Sequence, residues 1–364
     1  MELKPKILDR YIMKKFLTTF FIALLIIILI VIIFDISEKI EKFVEHEVPL
    51  QSIVFDYYIN FIPYFINLYS PLFVFITAVF FTSRMAANSE IIAILSSGVS
   101  YRRMMVPYMV SAALIALLSL GLNLYVIPRA NAVRVPFETK YVDQNYTKYS
   151  RNNVHYQIAP GQFVYVQAFS AYNNTAYKFT LETIEEGRMV SKVTAESAVW
   201  DSTLDGWHLR RYFIREYSKG LQDKVRCGDQ LDTVIALKLS DFYRNQKTVE
   251  TLTQKDLQML IDTQNMRGDA NVMYALIEKN RRMTLPFSAF ILTIMAVALT
   301  SQKRRGGIGF NLALGIGLAF LYILFLKFSE MFVYTGTLSA GLALWLPNFV
   351  YIIIAAILYK LAPK

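Results

Sequence analysis

Six long apolar segments constrain this chain more than any other feature of its sequence. Each is long enough, as an α-helix, to cross the ~30 Å hydrocarbon core of a bilayer, which takes about 20 residues. Residues of the AVILMFWYC set make up 55% of the 364 positions, more than an ordinary soluble domain carries. We therefore predict a helical membrane protein with six transmembrane spans: Phe16–Phe34, Tyr57–Thr82, Met104–Ile127, Met283–Thr300, Ile308–Leu326 and Leu338–Tyr359.

The distribution of basic residues between the spans predicts their orientation, because cytoplasmic loops carry an excess of Lys and Arg. Lys279, Arg281 and Arg282 precede span 4 on the other side, but charges after a long translocated domain have little influence on orientation. Both termini are therefore predicted in the cytoplasm, and the large 128–282 segment outside it. The basic residues on the predicted cytoplasmic side are Lys4, Lys6, Arg10, Lys14, Lys15, Arg84, Arg102, Arg103, Lys303, Arg304, Arg305, Lys360 and Lys364.

The 128–282 segment separates spans 1–3 (residues 1–127) from spans 4–6 (residues 283–364). From Val154 it alternates polar and apolar residues with period two, which predicts a β-rich domain with a sandwich or jelly-roll-like sheet. Gly228-Asp229 is one of the predicted turns, and beyond Thr251 the period becomes helical. Such a domain serves either as a rigid spacer or as a surface for lipid chains or added strands. The predicted strands are Val154–Ile158, Phe163–Val166, Tyr177–Ile184, Ser191–Trp200, Trp207–Tyr217 and Leu231–Leu239.

A short apolar helix is predicted between spans 2 and 3. Asn88 or Ser89 can cap its start, Glu90 lies in its first turn, and Gly98 is a natural stop. An apolar helix at this position must bury its face in lipid headgroups or in another protein. It is therefore either an interfacial helix or a coupling helix that docks in a groove of a cytoplasmic motor, with Glu90 paired to a basic residue there.

The sequence lacks the motifs of several catalytic and metal-binding classes. It contains no GxxxxGK[ST] phosphate loop, no HExxH, no CxxC and no GxSxG. Its single cysteine is Cys227, and its three histidines lie far apart. The net charge of +10 is explained by residues that flank the spans, so we predict no nucleic-acid partner. We expect no catalytic residue, metal site or cofactor in this chain, as in a transporter subunit that is powered by another protein.

Three features together resemble the LptF/LptG family of lipopolysaccharide-export permeases: six spans, a β-domain between spans 3 and 4, and a cytoplasmic SExxxxxxSG helix at residues 89–98. The opening Leu8-Asp9-Arg10-Tyr11-Ile12 looks like the LptG branch, as does Gly161-Gln162-Phe163-Val164-Tyr165. The resemblance covers the whole chain.

This resemblance implies a location in the bacterial inner membrane and a set of partners. Family members pair as two permease subunits over a cytoplasmic ATPase homodimer (LptB-like), which binds ATP and Mg²⁺. The second permease subunit would be an LptF-like paralogue or an identical copy. A cavity lined by spans 1, 2 and 5 admits lipopolysaccharide, and jelly-roll bridge proteins in the periplasm (LptC/LptA-like) receive it.

The resemblance also implies roles for individual residues. Glu90 would be the coupling acid and Gly98 the end of a coupling helix at about residues 84–98, with Arg84, Ile91 and Ile94 in the same ATPase contact. In the β-domain, Phe163 and Tyr165 would lie on the transfer path. The candidate lipid-binding residues at the outer rim are Phe34, Lys39, Lys42, Arg134 and Lys327, with Arg129, Arg281 and Arg282 as further cations.

These rim assignments leave alternatives open. Asp35 stands about where the family often has a lysine, and Lys39 and Lys42 follow one or two turns later. Each rim cation could instead be a headgroup anchor. Gly309, Gly315 and Gly317 could allow close helix approach at a seam between subunits.

Two other functions fit the sequence pattern. One is a different ABC-type lipid or lipoprotein permease, in which the large outer domain follows span 1. The other is a membrane-anchored assembly protein that transports nothing.

Overall fold

A computed structural model of the chain describes residues 7–143, 150–218, 222–243, 246–269, 271–301 and 307–362. These residues form two compact units. The helical unit comprises residues 1–134 and 276–364, and the β unit comprises residues 135–275. Several of the predicted cytoplasmic basic residues lie outside the described residues: Lys4, Lys6, Lys303, Arg304, Arg305 and Lys364.

Within the described residues, six helices are long and apolar enough to cross a membrane, which confirms the predicted number of spans. Two of them contain a π-helical stretch, Ile53–Tyr58 in the second and Leu122–Val126 in the third. A short helix lies between the second and third. In chain order the elements are α1 Ile7–Glu45, α2 Leu50–Ser52, α3 Ile59–Ala87, α4 Glu90–Ser96, α5 Tyr101–Gly121, α6 Ile127–Tyr141, α10 Val272–Thr300, α11 Gly307–Tyr334 and α12 Ala340–Leu361, with α7 to α9 in the β unit.

Aromatic side chains hold α1 against α3 and α5. Phe16 of α1 is fully buried, and its ring lies 6.4 Å from that of Phe81 and 5.8 Å from that of Tyr108. Helix α11 packs closely on α3, where a Cβ added at Gly315 would lie 3.0 Å from Val79. The predicted small-residue seam is thus, at Gly315, a contact within the chain.

Buried polar groups also link the helices. Asn67 of α3 donates to Asn123 at 2.8 Å, and Ser119 donates to Asn67 at 2.7 Å. Tyr322 of α11 donates to Asn348 of α12 at 2.8 Å. Such hydrogen bonds fix the pairing of helices in a membrane, where the apolar contacts alone discriminate little between alternatives.

The β unit contains an antiparallel sheet inserted between the helices, as predicted. Its described strands follow one another in sequential order in a single sheet, so the second layer of the core is not another sheet. That layer includes Phe242, whose ring stacks 4.3 Å from Phe169, and Leu237, whose carbonyl accepts from Trp207 at 2.8 Å. The strands are β1 Ser150–Ala159, β2 Gln162–Ser170, β3 Thr175–Glu185, β4 Arg188–Asp201, β5 Gly206–Glu216 and β6 Lys224–Thr233.

The sixth strand lies seven residues or so before its predicted position, and the predicted turn at Gly228-Asp229 is wrong. Gly228 lies within β6, opposite Tyr212 of β5. A Cβ at this position would lie 2.8 Å from the Tyr212 hydroxyl, so the glycine leaves room for the tyrosine ring. A cross-strand aromatic that covers a glycine is compatible with a strand interior.

One residue in each of the six described strands has no partner in the strand pairing, and these residues form a line across the sheet; we call this line the crease. The pairing register skips one residue in every strand at this line. In β1, β3 and β5 the skipped residues, Asn153, Lys178 and Arg211, have φ values of 55°, 50° and 50°. Inward-facing side chains are consequently three residues apart across the crease, as Val166 and Phe169 are in β2. The crease thereby keeps one face of the sheet apolar, and such irregularities are known to bend sheets.

Helices α7 Leu239–Tyr243, α8 Gln246–Val249 and α9 Gln254–Arg267 follow the sheet. The helical period predicted beyond Thr251 is confirmed in α9, where Leu257, Leu260 and Ile261 are buried on one face. Thr253 caps this helix by accepting from the Asp256 backbone N–H at 3.3 Å.

Candidate functional site

The first candidate region is the end of the helical unit at which α1 begins and α12 ends; we call it the terminal end. The short helix α4 lies here. Ser89 precedes its first residue with a left-handed backbone (φ 62°), and its side chain makes no capping hydrogen bond, so the predicted Ser89 cap is wrong. Gly98, also left-handed (φ 84°), follows its end. Gly98 therefore lies at the predicted stop, in a conformation that glycine adopts without strain.

The apolar side chains of α4 face two ways. Ile91 is 1% exposed and belongs to the core of the helical unit, against which Ile94 and Leu95 also pack. Ile92 is 54% exposed. Residues 91, 94 and 95 have the spacing of one helix face, so the periodicity already distinguishes the anchoring stripe from Ile92. Two of the predicted contact residues, Ile91 and Ile94, thus attach the helix to its unit, and the exposed apolar side chain is Ile92, which the sequence analysis did not name.

Glu90 is held by two neighbours. The Tyr11 hydroxyl of α1 donates to Oε2 at 2.9 Å, and the Asn88 side chain donates to Oε1 at 3.2 Å. Tyr11 in turn accepts a hydrogen bond from Lys15, whose ammonium lies 4.3 Å from the Tyr11 ring centroid. The carboxylate of Glu90 is therefore oriented by α1 and by its own helix start.

A groove of about 480 Å³ opens beside Glu90. Lys14, Lys15 and Arg84 line it together with apolar side chains such as Phe80. Arg84, a predicted member of the site, is exposed at the last turn of α3. The structure thus brings Arg84 and Glu90 to one groove.

A second contact at the terminal end joins α1 to α5. Arg103 binds Asp9 with both arms of its guanidinium, at 2.8 and 2.5 Å. Asp9 is 7% exposed. Ser100 caps α5 by accepting from the Arg103 backbone N–H, so this arginine lies in a fixed first turn. The sequence contained both residues, but nothing in their spacing predicted that they pair.

The second candidate region is the opposite end of the helical unit, where α6 leaves it and α10 returns; we call it the insertion end. Lys39 of α1 binds Asp35 at 2.6 Å, and only 13% of each side chain is exposed. Lys39 also donates to the Tyr57 hydroxyl, and Tyr58 donates to Asp35 at 3.0 Å. The π-helical stretch Ile53–Tyr58 presents two adjacent tyrosines to one carboxylate. Lys39 is therefore neutralised within the chain rather than presented on an open rim.

The other predicted rim residues of α1 and α6 differ in accessibility. Phe34 is 71% exposed, Lys42 is half-buried, and Arg134 is 5% exposed. The Arg134 guanidinium lies 4.3 Å from the Tyr64 ring centroid and donates to Asn131 at 3.1 Å.

A buried ionic network connects α10 and α11 at the insertion end. Arg282 is 1% exposed and binds Glu278 at 2.8 Å. Arg281 lies 3.3 Å from Glu330 and 3.7 Å from Glu278. Lys327 binds Glu330 at 3.1 Å, and its side chain is 52% exposed. Three cations face two carboxylates here, and Lys327 is the most accessible of the three.

In the β unit, Phe163 and Tyr165 lie on the face opposite to Val164 and Val166, which belong to the buried core. Tyr165 lies 4.5 Å from the His155 ring and lines a cavity of about 750 Å³. The predicted transfer-path residues therefore do not lie on the packed apolar face. Within that cavity they meet polar and charged side chains, including Glu182 and Lys192.

His208 of β5 lies between two aspartates of the β unit. It contacts Asp201 at 2.8 Å and also Asp232. The hydrogen bond to Asp201, followed by that to Asp232, raises the pKa of His208. Hydrogen bonds from Thr203 and from His208 lower the pKa of Asp201 to about 2. No sequence signal predicted this cluster, because the three residues come from three strands.

The sequence model of one family matches residues 10–361, nearly the whole chain. The family is described as lipopolysaccharide export system permease LptF/LptG. No individual curated protein matches the chain. The match includes both units of the structure, and so both candidate regions of the helical unit.

Proposed function

Because the chain belongs to the LptF/LptG family of lipopolysaccharide export permeases, we propose that it is the permease subunit of an ABC-type exporter. It would act with a second permease subunit and a cytoplasmic ATPase homodimer that binds ATP and Mg²⁺. Lipopolysaccharide would be extracted from the inner membrane and passed to a periplasmic bridge of LptC/LptA-like proteins. The observation that carries this proposal is the family match over residues 10–361.

The proposed orientation places the terminal end in the cytoplasm and the β unit in the periplasm. The supporting observation is the charge of the terminal end, where Lys14, Lys15, Arg84 and Arg102 lie close to the candidate spans. The β unit follows the third candidate span. That position argues against the ABC-type permeases whose outer domain follows the first span.

The ATPase would dock on the outward face of α4. Ile92 supplies an exposed apolar anchor, and Glu90 beside it offers a carboxylate of fixed orientation. Each carboxylate oxygen has two lone-pair sites, so the hydrogen bonds from Tyr11 and Asn88 leave capacity for a basic residue of the partner. Arg84 lines the same groove as Glu90 and would extend the polar part of this surface, and Gly98 follows the end of α4.

The lipid would enter at the insertion end. Phe34 offers an exposed apolar side chain to acyl groups, and Lys327 is the half-exposed cation of the ionic network between α10 and α11. A lipid phosphate reaching Lys327 would compete with Glu330 for the same ammonium. Lys39, Lys42 and Arg134 would then contribute through the internal pairs and packing that position this end.

A test compares glycolipid capture at two exposed positions. A photoreactive residue replaces Phe34, and a matched control replaces Ile352, which is 45% exposed on α12. In nanodiscs that contain the ATPase and lipopolysaccharide, we expect capture of lipopolysaccharide at position 34 that depends on ATP, and little at position 352. Equal capture of bulk phospholipid at both positions would refute the cavity assignment.

Charge reversal at Glu90 tests the other end. The variant Glu90→Lys should lose most of its ATPase association while it still inserts and folds. The matched control is Glu47→Lys, which makes the same change on the loop after α1, at the insertion end. Wild-type association of Glu90→Lys would remove Glu90 from the contact with the motor. The absence of any ATPase from the wild-type purification would favour the assembly protein instead.

A further inference from the structure

The α4 segment is tied to α1 at both of its ends, and the proposed function uses only one of these ties, to orient Glu90. Tyr11 binds Glu90, the first residue of α4, and Asp9 binds Arg103 in the first turn of α5, the helix that follows α4. We propose that these two contacts form a clamp through which a displacement of α4 is passed to α1, with Asp9 and Tyr11 as positioning residues. The inference rests on the proposed function for the motor that would displace α4.

The Asp9–Arg103 contact restrains orientation as well as distance. Both guanidinium arms engage both carboxylate oxygens, at 2.8 and 2.5 Å. A paired contact of this kind holds the two planar groups in one relative orientation, which a lysine could not do. Asp9 is 7% exposed and the Arg103 side chain is 39% exposed, so the pair is shielded from water on the side of Asp9.

The two contacts hold α1 from different sides. Successive residues of an α-helix are turned by about 100°, so Asp9 and Tyr11 leave the α1 axis about 200° apart. One reaches Arg103 and the other reaches Glu90. A helix held from nearly opposite sides cannot roll out of one contact without straining the other, and so it follows the segment that holds it.

Helix α1 is suited to carry such a displacement. It is continuous for 39 residues, and at 1.5 Å per residue this is about 58 Å of helix. The part of α1 near the terminal end is packed, with Ile12, Phe16 and Phe20 buried. Of its most apolar 18 residues, 17% are buried within the chain. Because the helix is continuous, a movement imposed at Asp9 would be carried along α1 toward Lys39 at the insertion end, against the packing of Phe16 on α3 and α5.

A charge exchange tests the clamp in the complete complex. Three variants are compared with the wild type: Arg103→Asp, the double variant Asp9→Arg/Arg103→Asp, and Arg102→Asp. The last makes the same charge change at the exposed neighbouring position. The readouts are the rate of ATP hydrolysis, the amount of lipopolysaccharide extracted per ATP, and hydrogen exchange of the backbone at residues 88–100.

We expect Arg103→Asp to extract about tenfold less lipid per ATP, since a charge-assisted pair is replaced by repulsion. ATP hydrolysis should change little, and exchange at residues 88–100 should rise. The exchanged pair should recover most of the extraction, and Arg102→Asp should behave like the wild type. Arg103→Asp with wild-type extraction per ATP would overturn the inference, as would a correctly folded double variant that recovers nothing.

A second variant tests the other contact without a change of charge. Tyr11→Phe removes one hydroxyl and keeps the ring, and Tyr125→Phe is the control because Tyr125 is 69% exposed. Tyr11→Phe should lower extraction per ATP by about threefold, which corresponds to the low end of the net value of one hydrogen bond, because this contact is exposed. An unchanged ratio would remove Tyr11 from the clamp.

The hydrogen-exchange readout separates the two proposals. If the wild-type chain shows no extraction driven by ATP, the proposed function fails. The restraint is then judged by exchange alone: loss of protection in Arg103→Asp with recovery in the exchanged pair shows that the contact holds residues 88–100, and identical exchange in all variants refutes the clamp.

Discussion

The opposite orientations of two adjacent isoleucines on α4 allow the docking surface to be tested directly. Ile91 is 1% exposed in the core of the helical unit, and Ile92 is 54% exposed. Truncation to alanine should therefore affect different properties. Ile92→Ala should weaken binding of the ATPase, and Ile91→Ala should destabilise the helical unit.

The magnitudes follow from burial. Complete burial of such a side chain is worth about 1.5–3 kcal/mol, so covering the exposed half of Ile92 is worth about 0.8–1.5 kcal/mol. That corresponds to a rise of about four- to twelvefold in the Kd for the ATPase in Ile92→Ala. Truncation of a fully buried isoleucine costs about 2–5 kcal/mol of folding free energy, and we expect that loss for Ile91→Ala.

Two measurements on the full chain in mild detergent or nanodiscs distinguish these outcomes. Binding of the purified ATPase gives the Kd, and denaturant unfolding of the helical unit gives its stability. We expect Ile92→Ala to change only the first, whereas Ile91→Ala should lower the second. Wild-type binding of the ATPase by Ile92→Ala would refute the docking surface at Ile92. Weaker binding by Ile91→Ala at unchanged stability would refute the anchoring role of Ile91.

Three further predictions concern packing and charge. Gly315→Ala should destabilise the helical unit by about 1–3 kcal/mol because it crowds Val79, whereas Gly317→Ala, which faces open space, should be neutral or slightly stabilising in the same unfolding assay. Arg282→Met should cost about 3 kcal/mol or more, because it leaves a buried glutamate without its 2.8 Å partner; wild-type stability would show that the pair is dispensable. The raised pKa of His208 contributes stability that is fully present below about pH 6.5, the ordinary pKa of histidine, and is lost as the pH rises through the folded-state value. Hydrogen exchange of β4 to β6 in the full chain should therefore accelerate over that range, and His208→Gln should remove the dependence on pH.

The number of spans was predictable because the requirement is local. A helix in hydrocarbon must satisfy its backbone internally and present apolar side chains along its length, so each span is visible in its own residues. The π-helical stretches were not predictable in this way. In Ile53–Tyr58, both Tyr57 and Tyr58 bind Asp35 of another helix, and such a contact leaves no trace in the spacing.

The sheet shows the same division between local and non-local information. Alternation located most of the strands, but it assumes that every second residue faces the core. The crease breaks that rule in all six strands, so that Ala176 and Phe179 both face inward although they are three residues apart. The predicted turn at Gly228 was wrong for a related reason, because this glycine makes room for Tyr212 in the neighbouring strand.

At the candidate site, residue types were predictable and their partners were not. Glu90 and Arg84 do share a groove, because the loop between two spans keeps them close in sequence. Lys39 illustrates the limit. Its position in the sequence suggested an open cation, although Asp35, the carboxylate that neutralises it, lies one helical turn earlier. The pair is enclosed by tyrosines of a second helix, which the sequence did not place beside it.

In the proposed function, recognition and release of an anionic lipid would make opposite demands on the insertion end, and the internal pairing of its cations would meet both. Unpaired cations would hold a phosphate tightly and retain the cargo. A cation already bound to a carboxylate offers the phosphate only the difference between two similar charge-assisted bonds. Lys327 with Glu330 on α11 is such a pair. A movement of α1 driven through the clamp would shift the enclosed Asp35–Lys39 pair of α1 relative to it. The affinity for the lipid would then change with the position of α1 and with no change in protonation, which is what an exporter powered by a separate ATPase requires.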